Sequence, residues 1–329
     1  MNHQQTDRLT NSDGEVDETA RIESLTAALT GWFGRHREMH CFLAVDPSQR
    51  DLIESEADGG EPFASQRRAD VVIEHEAFPD AHRPYLLELD LSTRAGADAL
   101  AQSVSVAFED RRPESMAEGL GQRVGGWLAS SIAIDEVAAH WSRLMLQRDE
   151  SGRACMLRFF DSRALALLWP ILSPAQQQTV LGPARAWHVL DAGARPSVHL
   201  ASLEPRARFS LSVEQWRAVH RHGLVNRALA LHARACDRQP ESGEIETAVA
   251  AAARAEQYGL LDREDWIAFI GHALSWHPQF DLHPKVLQLL AHRAADDFYT
   301  GEISQLSAVE IDEIREGAWY QRLRSSVSQ

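Results

Sequence analysis

The sequence predicts an α/β lobe, with a mixed sheet flanked by helices, followed by an all-α lobe. Short apolar runs typical of strands alternate with helical stripes over residues 25–200. From about residue 205 only helical periodicity is found. At 329 residues the chain is also longer than one hydrophobic core usually needs. We therefore expect two lobes, with at least some parallel strand pairing in the first because its strands and helices alternate.

Composition and periodicity divide the chain into four segments. Residues 1–20 are polar and acidic without periodicity, so we predict a disordered acidic tail. We place the α/β lobe at 21–200, the helical lobe at 205–320 and a flexible tail at 321–329.

In the first lobe, strands are predicted from short apolar runs and helices from apolar residues three and four apart. In chain order these are a helix near 22–29, strands at 40–45, 71–73 and 85–91, a helix at 97–108, a strand at 127–132, a helix from 135, a strand at 156–160, helices from 162 and 174, and a strand at 186–190. Residues 54–70 and 111–118 have the composition of exposed loops.

The stretch Cys155–Leu172 predicts a corner between a strand and a helix. An apolar run precedes Asp161 and Ser162, either of which can cap the helix that follows. Apolar residues then recur from Leu165 at helical spacing, so one face of this helix belongs to a core. By itself such a corner could also lie under an active site.

Helix signals recur through the second lobe. Ser212 and Gln215 have the spacing of a capping box, and Gly259 suits the residue that ends a helix. Asp262 suits an N-cap and Pro284 suits a first helical turn. The last predicted helix spans 309–319.

The net charge of −15 is unevenly distributed. Residues 1–118 contain 11 Lys and Arg against 24 Asp and Glu. An acidic half repels phosphate, so we expect no nucleic-acid partner. The acidic excess either keeps the protein soluble or complements a basic protein partner, and the sequence leaves both open.

The sequence predicts a cytoplasmic protein. Its N-terminus has no apolar signal core, and no apolar run approaches the roughly 20 residues needed to cross a bilayer, so no membrane insertion is expected. Cys41, Cys155 and Cys236 lie far apart, and we predict three reduced, mostly buried thiols.

Sequence motifs for catalysis are few. Residues 119–126 are glycine-rich, but a strand rather than a helix follows them, so no dinucleotide loop is predicted. His75, Glu76 and His82 lack the spacing of a helical zinc motif. The serine-hydrolase elbow, the helical zinc-protease motif and the P-loop are not found.

Two further groups of polar residues are candidate sites. The first is dense in potential metal ligands, but prolines interrupt the helix among them, and we predict no metal; its members are His272, His277, Asp281 and His283. The second is Glu88 with Asp90, which would share one strand face without an identifiable base or nucleophile. We therefore favour a binding protein over an enzyme and expect no cofactor.

Six segments occur in an order that is itself informative. They are Cys41–Leu52, Arg83–Asp90, Gly125–Ser131, the helix around Trp141, Met156–Leu172 and Leu181–Leu190. Together they resemble the adaptor, or effector-chaperone, family of bacterial type VI secretion systems. Phe159, Phe160, Asp161 and Arg163 fit that family's structural hallmark, a strand-to-helix corner, with Ser162 where the family often has Pro. Glu256–Leu290 also resembles the helical extension of many such adaptors.

The resemblance implies a cytoplasmic adaptor, not an enzyme, that captures a toxic effector protein and delivers it to the spike protein VgrG or its PAAR-bearing tip. Such an adaptor needs a groove or apolar patch, which we place at the junction of the two lobes. The candidate partner-binding residues are Arg163, Trp266, Trp276, Phe280 and His283. A small-molecule hydrolase with a site between the two lobes is the alternative.

Overall fold

The computed structural model describes residues 3–53, 61–75, 78–206, 208–292 and 297–327, with the backbone alone at residues 3–16, 61, 326 and 327. The chain forms two units. The sheet unit comprises Met1–Ser115 and Leu120–Gln215, and the helical unit comprises Met116–Gly119 and Trp216–Gln329. The predicted class, an α/β part followed by an all-α part, is confirmed.

A six-stranded sheet organises the first unit, with the strand order β2-β3-β1-β4-β7-β8. Its strands are β1 (His40–Val45), β2 (Arg67–Asp70), β3 (Tyr85–Leu89), β4 (Val124–Ser130), β7 (Ala186–Leu190) and β8 (Pro196–Leu200). Strands β5 (Leu146–Arg148) and β6 (Ala154–Met156) form a separate two-stranded ribbon.

Every strand pairing among the described residues is antiparallel, so the predicted parallel pairing is wrong. The reason lies in the strand order. Strands β3 and β4 run in the same direction and are joined through helices, as a parallel unit requires, but β1 lies between them and pairs with both. The alternation of strands and helices therefore correctly predicted a helical connection between two strands of the same direction. It wrongly predicted that these two strands pair with each other.

The helices were found largely where apolar periodicity indicated them. In the sheet unit they are α1 (His3–Arg35), α2 (Glu61–Ala64), α3 (Arg94–Glu109), α5 (Ile134–Met145), α6 (Ser162–Leu168) and α7 (Pro174–Leu181). α4 (Pro113–Glu118) and α8 (Val213–Cys236) each contribute residues to both units. The helical unit continues with α9 (Ser242–Gln257), α10 (Arg263–Ser275), α11 (Pro284–His292), α12 (Tyr299–Ile303), α13 (Ala308–Glu316) and α14 (Ala318–Val327).

The core of the sheet unit uses both faces of the sheet. On one face α1 and α3 pack in a single cluster with β1, β3 and β4, and Leu29, Leu43 and Val104 are among its most buried members. On the other face α5 packs against β2 and β3. Strand β1 is buried at five of its six positions, which explains why its sequence is an apolar run rather than an alternation.

Several predicted boundaries need correction. α1 begins at His3 and α14 ends at Val327, so helix extends into both segments predicted as a disordered or flexible tail. The predicted strand at 71–73 lies instead at Arg67–Asp70, inside the predicted loop 54–70; residues 54–60 of that loop lie outside the described residues. Within the other predicted loop, residues 113–118 form α4.

The helix ends in the second half of the chain follow their sequence signals. Ser212 and Gln215 form the predicted reciprocal cap, with N···O distances of 2.8 and 3.2 Å. Asp262 accepts hydrogen bonds from the backbone N–H groups of Glu264 and Asp265. The predicted helix at 309–319 is interrupted at Gly317, whose left-handed backbone separates α13 from α14.

Candidate functional site

The predicted strand-to-helix corner is built around the carboxylate of Asp161, which caps α6. The strand before it, β6, ends at Met156, so the predicted strand at 156–160 is wrong beyond that residue, and residues 159–160 lie in a turn. It accepts hydrogen bonds from the backbone N–H of Arg163 at 3.0 Å and from the Nε and Nη2 of the same arginine at 3.2 and 2.9 Å. The residue is only 4% exposed. Asp161 and Arg163 therefore close the corner with a buried, bidentate ion pair.

A second arginine ties the corner to the central strand. Arg158 Nη2 lies 2.6 Å from Asp46 Oδ2, at the end of β1, and 3.8 Å from Asp161 Oδ2. Burial opposes ionisation of Asp161, but the charge and hydrogen bonds of Arg163, together with the charge of Arg158, outweigh it and lower the pKa to about 2. At Asp46 burial prevails over Arg158, and the pKa is raised.

Arg111 connects three elements under the corner. Its guanidinium is buried and donates to Ser162 Oγ at 2.6 Å and to the carbonyl of Leu190 at 2.5 Å. Burial, and then the neighbouring charge of Arg163, lower the pKa of Arg111 to about 10. The group stays cationic at neutral pH and joins the end of α3, the start of α6 and the end of β7.

Two glycines near the start of β4, Gly125 and Gly126, allow the corner to lie against the sheet. A Cβ atom on Gly125 would stand 2.0 Å from the carbonyl oxygen of Phe160. Gly126 has a φ of +119°, and Trp187 Nε1 donates to the carbonyl of Gly125 at 3.2 Å. Three of the six ordered segments thus meet at this point.

Both aromatic residues of the corner belong to the buried core of the sheet unit. Phe159 and Phe160 are fully buried. Phe159 packs edge-on against Trp141, with ring centroids 5.4 Å apart, and Trp141 lies 5.1 Å from Trp187. The predicted hallmark residues therefore hold α5, α6 and β7 together.

Sequence reasoning missed a buried charge cluster beside the corner. Asp110 is fully buried and accepts from Arg123 Nη2 at 2.9 Å and from Arg50 Nη2 at 2.6 Å. The available signal was a charged residue directly after an apolar helical stripe, at the end of α3. All these charges are engaged in pairs, so the arrangement can hold the fold rigid, and it presents no free acid, base or nucleophile within the cluster.

One family model matches part of the chain. Residues 42–179 match a model described as Domain of unknown function (DUF4123). The DUF4123 region includes β1 from Phe42 onward, the glycine pair and the whole corner. No curated protein and no solved structure matches the chain.

The candidate partner-binding residues of the helical lobe lie outside the DUF4123 region, in α10 and the turn that follows. Trp276 stacks on His272, with ring centroids 3.9 Å apart, and meets Phe280 edge-on at 5.9 Å. Trp266 donates its indole N–H to the carbonyl of Leu260 at 2.7 Å. The structure thus brings Trp276 and Phe280 together.

Their exposure separates these candidates into two groups. Phe280 is fully buried and His283 is 4% exposed, against the ring of Trp319 at 5.1 Å. Trp266 and Trp276 are half-buried, and Arg163 is bound to Asp161 in the sheet unit. Only the two tryptophans therefore offer a large apolar surface to a partner.

The other groups weighed from the sequence have separate partners. His272 Nδ1 lies 2.6 Å from the hydroxyl of Tyr299, and Asp281 is paired with Arg254 at 3.0 Å. Glu88 lies 2.7 Å from His40 Nδ1, whereas Asp90 lies beyond the end of β3 and accepts from Ser92. Neither the histidine-rich group nor the carboxylate pair forms a common site. Of His75, Glu76 and His82, which lack the spacing of a zinc motif, Glu76 lies outside the described residues.

Two surface grooves lie along α1. One, of about 820 Å³, lies between α1 and α3 and is lined by apolar side chains such as Ile22 and by polar ones such as Glu23 and Gln102. A second, of about 370 Å³, lies between α1 and the β7–β8 edge. No helix within the described residues has both the length and the apolarity to cross a membrane.

Proposed function

We propose that this protein is a cytoplasmic adaptor that binds a toxic effector of a type VI secretion system and delivers it to the VgrG spike or its PAAR tip. The observation that carries the proposal is the DUF4123 match over residues 42–179, which overlaps five of the six ordered segments that resemble the adaptor family. In this proposal the protein is a carrier and not an enzyme.

The chemistry of the corner supports a binding scaffold. Asp161 is committed to Arg163, Asp46 to Arg158 and Asp110 to two arginines. Charges paired in this way are unavailable as an acid, a base or a metal ligand, while their mutual hydrogen bonds fix the helices and strands around them. A rigid lobe of this kind suits the display of a constant surface to a partner.

In the helical unit, Trp276 and Trp266 are the side chains we assign to effector contact. Tryptophan contributes more to interfaces than its frequency suggests, because it buries a large apolar area while its N–H keeps a partner. Trp266 already has that partner in Leu260, so its ring can be covered at little polar cost.

The proposal is tested by co-expression with the effector encoded beside the adaptor gene. We expect a stable complex on size-exclusion chromatography, and we expect the complex to capture VgrG added afterwards. The adaptor mixed with an effector from an unrelated secretion cluster is the control and should elute alone. Failure to copurify with either its own effector or VgrG would contradict the proposal.

The contact residues are tested separately with Trp276→Ala. We expect at least a tenfold loss of affinity for the effector, about 1.4 kcal/mol, measured by isothermal titration calorimetry. Phe298→Ala is the matched control, since Phe298 is 61% exposed in the same unit and is no part of the assigned surface. Equal affinities for both variants would remove Trp276 from the interface and leave the adaptor function itself untouched.

No observation on the described residues favours the hydrolase over the adaptor. The carboxylates of Glu88 and Asp90 serve a histidine contact and a turn respectively. A hydrolase would need activity that is lost in Glu88→Gln with the fold intact.

A further inference from the structure

A cluster of a thiol, an imidazole and a carboxylate lies where α8 ends and α9 begins, outside the DUF4123 region. Cys236 is the last residue of α8, and His232 lies one turn before it. Glu244 lies in the first turn of α9, and Arg238 lies in the connection between the helices. All four residues belong to the helical unit.

Glu244 is the fixed point of this cluster. Its carboxylate accepts from Arg238 Nη1 and Nη2 at 2.9 and 2.6 Å, from the backbone N–H of Glu241 at 2.8 Å, and lies 2.9 Å from His232 Nε2. The hydrogen bond from Arg238 is the largest cause that lowers the pKa of Glu244 to about 2, so the carboxylate is ionised at neutral pH.

An ionised Glu244 determines which nitrogen of His232 carries the proton. A carboxylate can only accept hydrogen bonds, so Nε2 must be the protonated nitrogen and Nδ1 is left with its lone pair. The His232 side chain is 8% exposed, which holds the ring in this orientation. The imidazole can therefore accept a proton at Nδ1, and its hydrogen bond to Glu244 orients the ring.

Cys236 completes the cluster on the solvent side. Its Sγ lies 3.9 Å from His232 Nδ1 and 3.6 Å from Nε2, and the residue is exposed. Nε2 is committed to Glu244, so Nδ1, 3.9 Å from the sulfur, is the nitrogen left to take the thiol proton. A thiol, an imidazole and an orienting carboxylate form the constellation that activates sulfur nucleophiles.

The other two cysteines provide an internal contrast. Cys41 is buried within β1, and burial raises the pKa of its thiol far above the usual range. Burial also raises the pKa of Cys155, and the nearby Asp149 carboxylate, 3.5 Å from the sulfur, adds to the effect. Of the three thiols, only Cys41 is buried, so the prediction of mostly buried thiols is wrong.

We propose that Cys236 is a site of thiol–disulfide exchange with small disulfides, in which His232 accepts the thiol proton and Glu244 positions the imidazole. The proton moves from Sγ to Nδ1, and the thiolate attacks one sulfur of the disulfide. A new S–S bond forms, the original S–S bond breaks, and His232 gives its proton to the leaving thiolate, or to water where that thiolate is too weak a base to take it. The disulfide is reduced to one thiol while Cys236 becomes a mixed disulfide, so no other oxidant is needed. The proposal does not depend on the adaptor function.

The first test uses the full-length protein and an aromatic disulfide, 5,5′-dithiobis(2-nitrobenzoic acid), whose released thiolate is coloured. At pH 7 we expect one equivalent to react about tenfold faster than free N-acetylcysteine, with the label on Cys236 by peptide mass spectrometry. Cys236→Ser should abolish this phase and Cys155→Ser should keep it. A native Cys236 that reacts no faster than N-acetylcysteine would overturn the proposal without any variant.

The role of His232 is tested by the pH dependence of the rate. His232→Gln should slow the reaction about tenfold at pH 7, and the difference should shrink towards pH 9.5, where hydroxide can remove the proton instead. His292→Gln, at the exposed end of α11, is the matched control and should react as the wild type. A constant ratio at both pH values would show a merely structural role for His232 and would overturn the assignment. With oxidised glutathione in place of the aromatic reagent, the wild type and His292→Gln should again react faster than His232→Gln.

Discussion

At the scale of single residues, the corner shows how a buried carboxylate becomes stabilising. Burying Asp161 is costly by itself, since a charge loses its hydration. Two interactions offset this cost. The carboxylate caps α6 by accepting from the backbone N–H of Arg163, and it forms an ion pair with the guanidinium of the same residue. The sequence predicted the cap from a polar residue placed before a helical stripe. It could not predict the participation of Arg111 in the same corner, because that contact to Ser162 spans 51 positions.

Asp161→Asn should destabilise the protein by about 3 kcal/mol, since it removes one member of a buried ion pair and leaves Arg163 without its counter-charge. The measurement is the free energy of unfolding from urea titrations at pH 7. Asp80→Asn is the control, because Asp80 is 83% exposed in an i,i+3 pair with Arg83 and should change stability by no more than about 0.5 kcal/mol. Equal effects of the two substitutions would contradict the structural role of the corner.

The buried ring of His272 should make stability depend on pH. Burial lowers the pKa of His272 to about 4, whereas a histidine in an unfolded chain has a pKa near 6.5. The unfolded state therefore binds the proton first, so this contribution is complete above about pH 6.5 and is lost as the pH falls towards 4. Over that interval His272 alone should account for at most about 3 kcal/mol.

The check on His272 compares unfolding free energies at pH 7 and pH 4.5. His272→Phe keeps the stacking on Trp276 and cannot be protonated, so its stability should fall less between the two pH values than that of the wild type. His292→Gln should keep the wild-type difference. If His272→Phe shows the same difference as the wild type, protonation of this ring does not contribute.

At the scale of helices and strands, local pattern predicted the elements better than their partners. Strands β1 and β7 lie where their apolar runs indicated, and the cap of α6 lies at Asp161. Strand β8 was missed because it is an exposed edge strand that opens with Pro196 and has no apolar run. Strand β5 was missed because it continues α5 without a breaking residue and owes its conformation to pairing with β6.

Contact between β4 and the corner should fail when the glycine that permits it is replaced. Gly125→Ala would place a Cβ atom 2.0 Å from a backbone oxygen, which cannot move as a flexible side chain can, so we expect a loss of about 3 kcal/mol or more. Gly223→Ala is the matched control in α8, where a Cβ meets nothing within 4 Å and removal of a helix glycine should stabilise by up to about 1 kcal/mol. Urea unfolding of both variants should give changes of opposite sign, and a tolerated Gly125→Ala would contradict the close approach.

At the scale of the whole molecule, the charge is unevenly distributed along the chain, and the fold does not explain why. The 24 acidic residues among residues 1–118 exceed the 11 basic ones, whereas the remainder of the chain is nearly balanced. Two buried acids of this segment, Asp46 and Asp110, are paired with arginines. Asp70, Asp80 and Asp98 are each more than half exposed. Exposed acidic side chains can keep the protein soluble or attract a basic partner. The two roles differ in the rate of association with a partner, because only attraction makes that rate depend on salt.

If the acidic surface recruits the proposed effector, association should be fast at low salt and slow at high salt, since screening shortens the range of the attraction. We expect the association rate constant to fall about tenfold between 50 and 500 mM NaCl, with a nearly constant dissociation rate constant, measured by biolayer interferometry. Asp70→Asn, Asp80→Asn and Asp98→Asn together should flatten this dependence. The matched control removes three exposed acids from the balanced part of the chain, with Asp312→Asn, Glu313→Gln and Glu316→Gln, and should keep the wild-type slope. An association rate that does not change with salt would assign the acidic excess to solubility alone, because steering of a charged partner cannot survive a Debye length of about 4 to 5 Å.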